Sequence, residues 1–339
     1  MKSPFVWLAG LLSLLMLLMS GCGRQDDTAL VIYSAGPRQL IEQISADFTA
    51  EYGVPVRLFV ATTGQLMAKL EAERFRPQAD IVIFASDVAA EALRSANRLA
   101  PLHDINLPPT HQDWHDPHGY YLTTSAALVG VALASTHADL APDWEALFSG
   151  DFPGRLAMPS PSRSGTAGDF VVSRVLADAD SAWADFARAR AAGMEFPAAN
   201  SQALTSLMIG NYQAVLGAVD YLVFRQMAQG APLVMHYPAS GVPLMTRPVG
   251  ILASSPKQDS ARRFVTHLFS AEAQQHIAEA HLLPARTDIE PDAIRQAARP
   301  PQRITRGDVE AALTQQGNIL RRFQYQIERA QIPAGAPAP

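Results

Sequence analysis

Leu30-Val31-Ile32-Tyr33-Ser34-Ala35-Gly36-Pro37 is the stretch that decides the fold. Four apolar residues read as a buried strand, a small polar turn follows, and Pro37 suits the first turn of a helix expected over residues 38–52. The unit recurs twice. Val54 to Val60 is a second strand, followed by Thr62-Thr63-Gly64 and a helix over 65–73. Asp80 to Phe84 is a third, followed by Ser86-Asp87 and a helix over 88–97. Strand, turn and helix in this repeated order make an α/β sheet with parallel strands. Each helix starts at the carboxyl end of a strand, the edge where open α/β sheets bind ligands.

Working outward, residues 99–121 are irregular, and Leu128 to Ala134 is an apolar strand that crosses into a second lobe. There the pattern predicts a helix over 144–148, a strand over 154–158 and a helix over 167–177. A helix over 201–209, a strand over 214–219 and a helix over 221–229 follow. Val249 to Ala253 reads as a strand returning to the first lobe, with helices over 258–269 and 271–280 beside it. Asp308 to Ala330 reads as an amphipathic helix. The resulting division is lobe 1 over residues 29–124 and 243–330, lobe 2 over 125–242, and a disordered tail over 331–339. Links are expected near Thr123-Thr124 and at Gly241 to Arg247.

The other end of the chain fixes its compartment. Met1-Lys2 gives a positive start, Phe5 to Met19 is almost unbroken apolar sequence, and Ser20-Gly21 precedes Cys22, the single cysteine. The run is shorter than the ~20 residues of a spanning helix and reads as a secretory signal over residues 1–21. Leu18-Met19-Ser20-Gly21-Cys22 resembles a bacterial lipobox, which implies lipidation of Cys22, a polar tether over 22–28 and a cell-envelope or periplasmic lipoprotein. With Cys22 lipidated no thiol remains for a disulfide, so the fold rests on packing.

Composition excludes several classes. The chain carries 27 basic and 32 acidic residues, a net charge of −5, and loss of Lys2 with the leader takes it to about −6. That balance offers no basic face for nucleic acid. Ser164 in Ser162-Arg163-Ser164-Gly165 lacks the glycine two residues earlier that a hydrolase elbow needs. HExxH, Walker A and Rossmann fingerprints are absent, and no base is paired with a nucleophile. Neither enzymatic activity nor a cofactor is expected. His111-Gln112-Asp113-Trp114-His115-Asp116-Pro117-His118 is rich in zinc-type donors, but its spacing matches no standard finger and reads as a surface loop.

The polar turns form one constellation. Ser34 to Gly36, Thr62 to Gly64, Ser86-Asp87 and Ser164 to Thr166 all precede helices, where free amides and hydroxyls make an anion site. Taken singly, each is also an ordinary helix cap. Arg163, in the last turn, either grips an anion or points to solvent.

Specific runs carry a family resemblance over about Leu30 to Ile289. They are Val31-Ile32-Tyr33-Ser34, Ala79-Asp80-Ile81-Val82, Ser164-Gly165-Thr166-Ala167, Asn200-Ser201, Ala218-Val219-Asp220-Tyr221 and Tyr237-Pro238-Ala239-Ser240-Gly241. Ala261-Arg262-Arg263-Phe264 and Ser270-Ala271-Glu272-Ala273-Gln274 complete the set. In this order the chain resembles the bacterial extracellular solute-binding proteins of the ferric-ion and 2-aminoethylphosphonate type. The resemblance implies a two-lobed type II periplasmic-binding-protein fold, each lobe a mixed, mainly parallel sheet flanked by helices. It further implies a monomer that closes on a small solute like a hinge and delivers it to the permease of an ABC importer. Ser164, Gly165, Thr166 and Asn200 match the family's phosphate-holding residues. Asp220 would then pair with a cationic group of a zwitterion such as 2-aminoethylphosphonate, or else cap the helix begun by Tyr221. Iron(III) prefers phenolate and carboxylate oxygens. At the family's iron positions this chain has Pro37, Ser86 and Asp220-Tyr221, which leaves Tyr221, Asp220 and Asp87 as an alternative iron set. A molybdate-type receptor for a bare oxyanion shares the Ser and Thr turns.

Overall fold

The computed structural model describes residues 28–330. The leader, the lipidation at Cys22, the tether before Thr28 and the tail over 331–339 lie outside the described residues.

β1 (Leu30–Ser34), α1 (Arg38–Tyr52), β2 (Val56–Val60), α2 (Thr63–Ala72), β3 (Ile81–Ile83) and α3 (Asp87–Ser95) follow the expected repeat. β1 pairs in parallel with both β2 and β3. Its side chains alternate between two apolar layers, as strand geometry requires. Leu30 and Ile32 pack with Ile44 and Phe48 of α1, while Val31 and Tyr33 pack with Leu66 and Leu70 of α2 and Leu93 of α3. A strand covered on both faces reads as continuous hydrophobic sequence, which is why this region is legible.

The crossing element is longer than expected. β4 (Leu122–Ala134) runs through both lobes: Leu122 to Leu128 pair with one neighbour and Val129 to Leu133 with another. Lobe 2 continues with α4 (Trp144–Phe148), β5 (Leu156–Ala157), α5 (Gly165–Ala177), α6 (Ala179–Ala191), α7 (Asn200–Met208) and β6 (Ala214–Val219). α8 (Asp220–Ala228) and β7 (Leu233–His236) complete it. β8 (Val242–Ile251) starts seven residues before the expected return strand and is the second crossing element; it pairs antiparallel with β4 and with β3. The order is β2-β1-β3-β8-β4-β6-β5. The β4–β8 register shifts between Thr123 and Ser125, and there Thr124 Oγ1 donates to the Arg247 carbonyl at 3.1 Å.

α9 (Gln258–His267), α10 (Ala271–Glu279), β9 (Leu283–Pro284), α11 (Ala293–Ala297), β10 (Ile304–Thr305) and α12 (Val309–Phe323) end the described chain, α12 running into a π-helical turn over Gln324–Glu328. α12 corrects the lobe division. The sequence division places it with lobe 1, whereas Ala312, Ile319 and Phe323 enter the lobe 2 core. Phe323 meets Phe186 edge-on at 5.0 Å and Phe196 at 5.6 Å. The apolar face of the helix completes an aromatic cluster there, and α12 also touches α3 of lobe 1. It is a strap across both halves.

Candidate functional site

Two loops of lobe 1 and one of lobe 2 converge on a cleft of about 650 Å³, closed on one side by Leu313, Gln316 and Leu320 of α12. In lobe 1 Thr62 caps α2 reciprocally. Its hydroxyl accepts from Gln65 N–H at 3.3 Å, and Gln65 Oε1 accepts from Thr62 N–H at 3.1 Å. The Thr63 and Gly64 amides are left as open donors at this helix start. Thr63 Oγ1 accepts from Ala85 N–H at 3.2 Å and so ties this loop to the one holding Ser86.

In lobe 2, Ser164 caps α5. Its Oγ accepts from Ala167 N–H at 3.2 Å and from Asn200 Nδ2 at 3.0 Å. The early amides of α5 are again open, and the side-chain oxygen Oδ1 of Asn200 is buried with no partner. Below the turn, Glu328 accepts from the hydroxyls of Ser160 and of Ser162, the latter at 2.6 Å. Arg163 is exposed on the cleft wall. A Cβ built on Gly165 would stand 3.9 Å from the Thr63 Cβ, so the two lobes meet at this point.

One acidic group lines another part of the same cleft, and a second stands in an adjoining cavity. Asp169, in the first turn and a half of α5, lines the cleft and accepts from Gln316 Nε2 at 3.1 Å. Burial pushes its carboxyl up to about 7; the Ser86 hydroxyl opposes this and the charge of Asp87 adds to it. Asp87 is itself raised by burial, which Thr246 and Arg306, 3.9 Å away, offset only in part. Asp87 and Asp169 share a small adjoining cavity of about 60 Å³ with Thr246 and Arg306. The cleft therefore offers amide and hydroxyl donors from two helix starts together with one carboxylate, Asp169, that belongs to none of the ion pairs among the described residues, while Asp87 beside it is paired with Arg306 at 3.9 Å. Such a set has the chemistry to hold an anion at one end of a solute and a cation at the other.

A family model described as bacterial extracellular solute-binding protein matches residues 29–282. The chain belongs to that family. Its members are transport receptors that serve ABC importers from the periplasm, not enzymes. One relative, provisionally named a 2-aminoethylphosphonate-binding periplasmic protein of Salmonella typhimurium, is 23% identical over 256 residues, 72% of this chain and 73% of its own. Among solved structures, the periplasmic binding protein AfuA of Actinobacillus pleuropneumoniae, with fructose-6-phosphate bound, superposes with a TM-score of 0.77. It is 19% identical and covers 90% of this chain and 100% of its own. Iron-bound HitA of Pseudomonas aeruginosa gives 0.76 at 18% identity, covering 87% and 98%. The fold is thus the two-lobed type II binding-protein fold. Among the described residues no helix is long and apolar enough to cross a membrane.

Within this solute-binding protein, Thr62, Thr63, Gly64, Ser86, Ser164 and Gly165 line one cleft, and Asn200 joins them through Ser164. The remaining expected positions divide. Thr166 sits next to Gly165 in the first turn of α5 but is not part of the cleft wall, and Asp87 lies in the adjoining cavity. Ser34 is buried, and its hydroxyl accepts from Gly36 N–H at 3.1 Å, so that turn is spent on itself. Tyr221 belongs to a separate groove with Pro37 and Leu40. Of the two roles expected for Asp220, pairing with a ligand cation and capping the helix begun by Tyr221, its geometry fits the second: Oδ1 accepts from Tyr221 N–H at 2.7 Å. Asp220 is fully buried, paired with Arg295 Nη1 at 2.6 Å, and accepts from Leu128 N–H, Tyr221 N–H and the Tyr237 hydroxyl. A carboxylate so occupied has nothing to offer an ammonium or a metal. The three residues of the alternative iron set stand in separate places, Tyr221 in its own groove, Asp220 in the interior and Asp87 in the small cavity. The histidine-rich loop ties itself together instead: His115 bonds to Thr110 and Thr123, burial lowers it to about 4, and His111 stacks on Trp114 at 4.2 Å.

Sequence reasoning missed two contributors. Asp169 looks like an ordinary helix-start acid, and the α12 wall depends on a distant segment. Arg247 is a further buried cation, outside the cleft wall. It is 6% exposed, donates to the Ala35 carbonyl at 3.3 Å and lies 5.2 Å from the Tyr221 ring centre, and it belongs to none of the ion pairs among the described residues. A lone arginine inside the apolar run of β8 was the available signal.

Proposed function

We propose that this receptor captures a small zwitterion bearing phosphonate or phosphate at one end and an amine at the other, 2-aminoethylphosphonate being the simplest, and presents it to an ABC importer. The observation that carries this reading is the dual polarity of one cleft. Open helix-start amides with Thr62, Thr63 and Ser164 serve the anion, and Asp169 serves the cation. The name of the Salmonella relative supports the same ligand class. An ammonium seated near Asp169 would return that carboxyl to its ordinary range and so favour the closed form, in which Thr63 and Gly165 meet. β4 and β8 would act as the hinge, yielding at the register shift near Thr124.

Calorimetric titration with 2-aminoethylphosphonate, ethylphosphonate, inorganic phosphate and ferric citrate tests this. The expected order places 2-aminoethylphosphonate at least tenfold tighter than ethylphosphonate, which differs only in lacking the amine. Equal affinity for the two, or binding of ferric citrate alone, would refute it.

A further inference from the structure

None of the cleft residues contributes to a second cluster, on α1 and α10. Asp47, Glu272 and His276 each present one donor atom there, all within 4.8 Å of one another. Glu272 and His276 are four residues apart on α10 and so share a helix face. Asp47 comes from the neighbouring α1.

The contact between Asp47 and His276 is unusual for a simple ion pair. Asp47 Oδ2 and His276 Nε2 stand 3.2 Å apart, yet both atoms are buried and neither has a hydrogen-bond partner. An N–H pointing at the carboxylate would satisfy both; two lone pairs directed at a common point satisfy neither. A tetrahedral zinc ion with bonds of ~2.0–2.1 Å keeps its ligand atoms ~3.3 Å from each other. The surroundings have the form that orients metal ligands. His276 Nδ1 lies 3.3 Å from Glu279 Oε2, and Gln43 Nε2 donates to the other Asp47 oxygen at 2.9 Å. A carboxylate behind the distal imidazole nitrogen is the usual support for a coordinating histidine.

We propose that Asp47, Glu272 and His276 bind a divalent transition ion at the junction of α1 and α10. One imidazole with two carboxylates selects Zn(II) over Mg(II) or Ca(II), which take all-oxygen shells. Three protein ligands leave the fourth position to water. The ion would clamp the first helix of lobe 1 to a helix more than two hundred residues later, independently of what the cleft binds.

The test uses the full chain without an affinity tag, stripped with a chelator, then titrated with Zn(II) against a chromophoric competitor. One equivalent should bind, and the thermal midpoint should rise with Zn(II). His276→Ala and the milder Glu272→Gln should each weaken uptake at least tenfold. Glu279→Gln, acting behind the imidazole, should weaken it ~10-fold. His137→Ala, on an exposed turn, should leave it unchanged. Circular dichroism in chelator checks that each variant is folded. Failure of the parent to take up an equivalent at micromolar Zn(II), or uptake that survives both His276→Ala and Glu272→Gln, would overturn the site.

Discussion

Asp220 and Asp169 are both acids removed from bulk water in lobe 2, and they have opposite fates. Asp220 has a guanidinium at 2.6 Å, two backbone amides and a phenol around it. Asp169 has the neutral Gln316 amide and the Ser86 hydroxyl, with a second carboxylate nearby, and its carboxyl is raised to about 7. A charge that the protein neutralises for itself is structural. A charge left short of a counterion beside a cleft is available to a ligand. The proposed solute recognition rests on the second condition.

The largest expected effect breaks the first half of the comparison. Asp220→Ala would strand Arg295 in the interior and should cost ~3–5 kcal/mol in denaturant unfolding. In the fraction that folds, the preference for 2-aminoethylphosphonate over ethylphosphonate should be unchanged. A selective loss of that preference would restore Asp220 to the binding site.

Asp169→Asn addresses the other half. It should cost at least tenfold in affinity for 2-aminoethylphosphonate and leave ethylphosphonate equal or tighter. Stability should move the opposite way. Because the folded-state carboxyl is raised, its ionisation opposes folding: stability present at acid pH is lost as pH climbs from ~4 towards 7. At pH 8 the asparagine variant, free of that cost, should melt ~2–4 °C higher for each kcal/mol recovered. A variant that is both weaker in binding and lower in melting temperature would mean Asp169 is structural like Asp220.

Ser164→Ala sharpens the anion end. Loss of the α5 cap should cost ~1 kcal/mol of stability, and release of Asn200 should weaken every phosphonate and phosphate ligand alike by several-fold. Calorimetry showing an effect confined to amine-bearing ligands would mean that the two ends of the cleft have been assigned the wrong way round.

The same contrast explains what the sequence could disclose. Leu30 to Tyr33 and Asp80 to Phe84 announce themselves because a strand buried on both faces needs no partner to be recognised. Thr62 and Ser164 are legible as helix starts because capping is local. β4 is legible only from Leu128, since Thr123, Thr124 and Ser125 interrupt its apolar run where it passes between lobes. The tie between Asp220 and Arg295 spans 75 positions, and no local pattern reports it. Nothing in Gly168-Asp169-Phe170 says that Asp87 of the other lobe stands close by, and nothing in the amphipathic α12 says which lobe its apolar face covers. Charge pairing across lobes is a tertiary property.

The most direct measurement is the affinity of parent and Asp169→Asn for 2-aminoethylphosphonate at a series of pH values, taken as a ratio so that the ligand's own titration cancels. With Asp169 near 7 in the free receptor, the parent's advantage should grow about tenfold between pH 6 and pH 8 as the carboxylate ionises. A ratio that stays flat across that range would contradict the claim that this carboxylate receives the solute's cationic end.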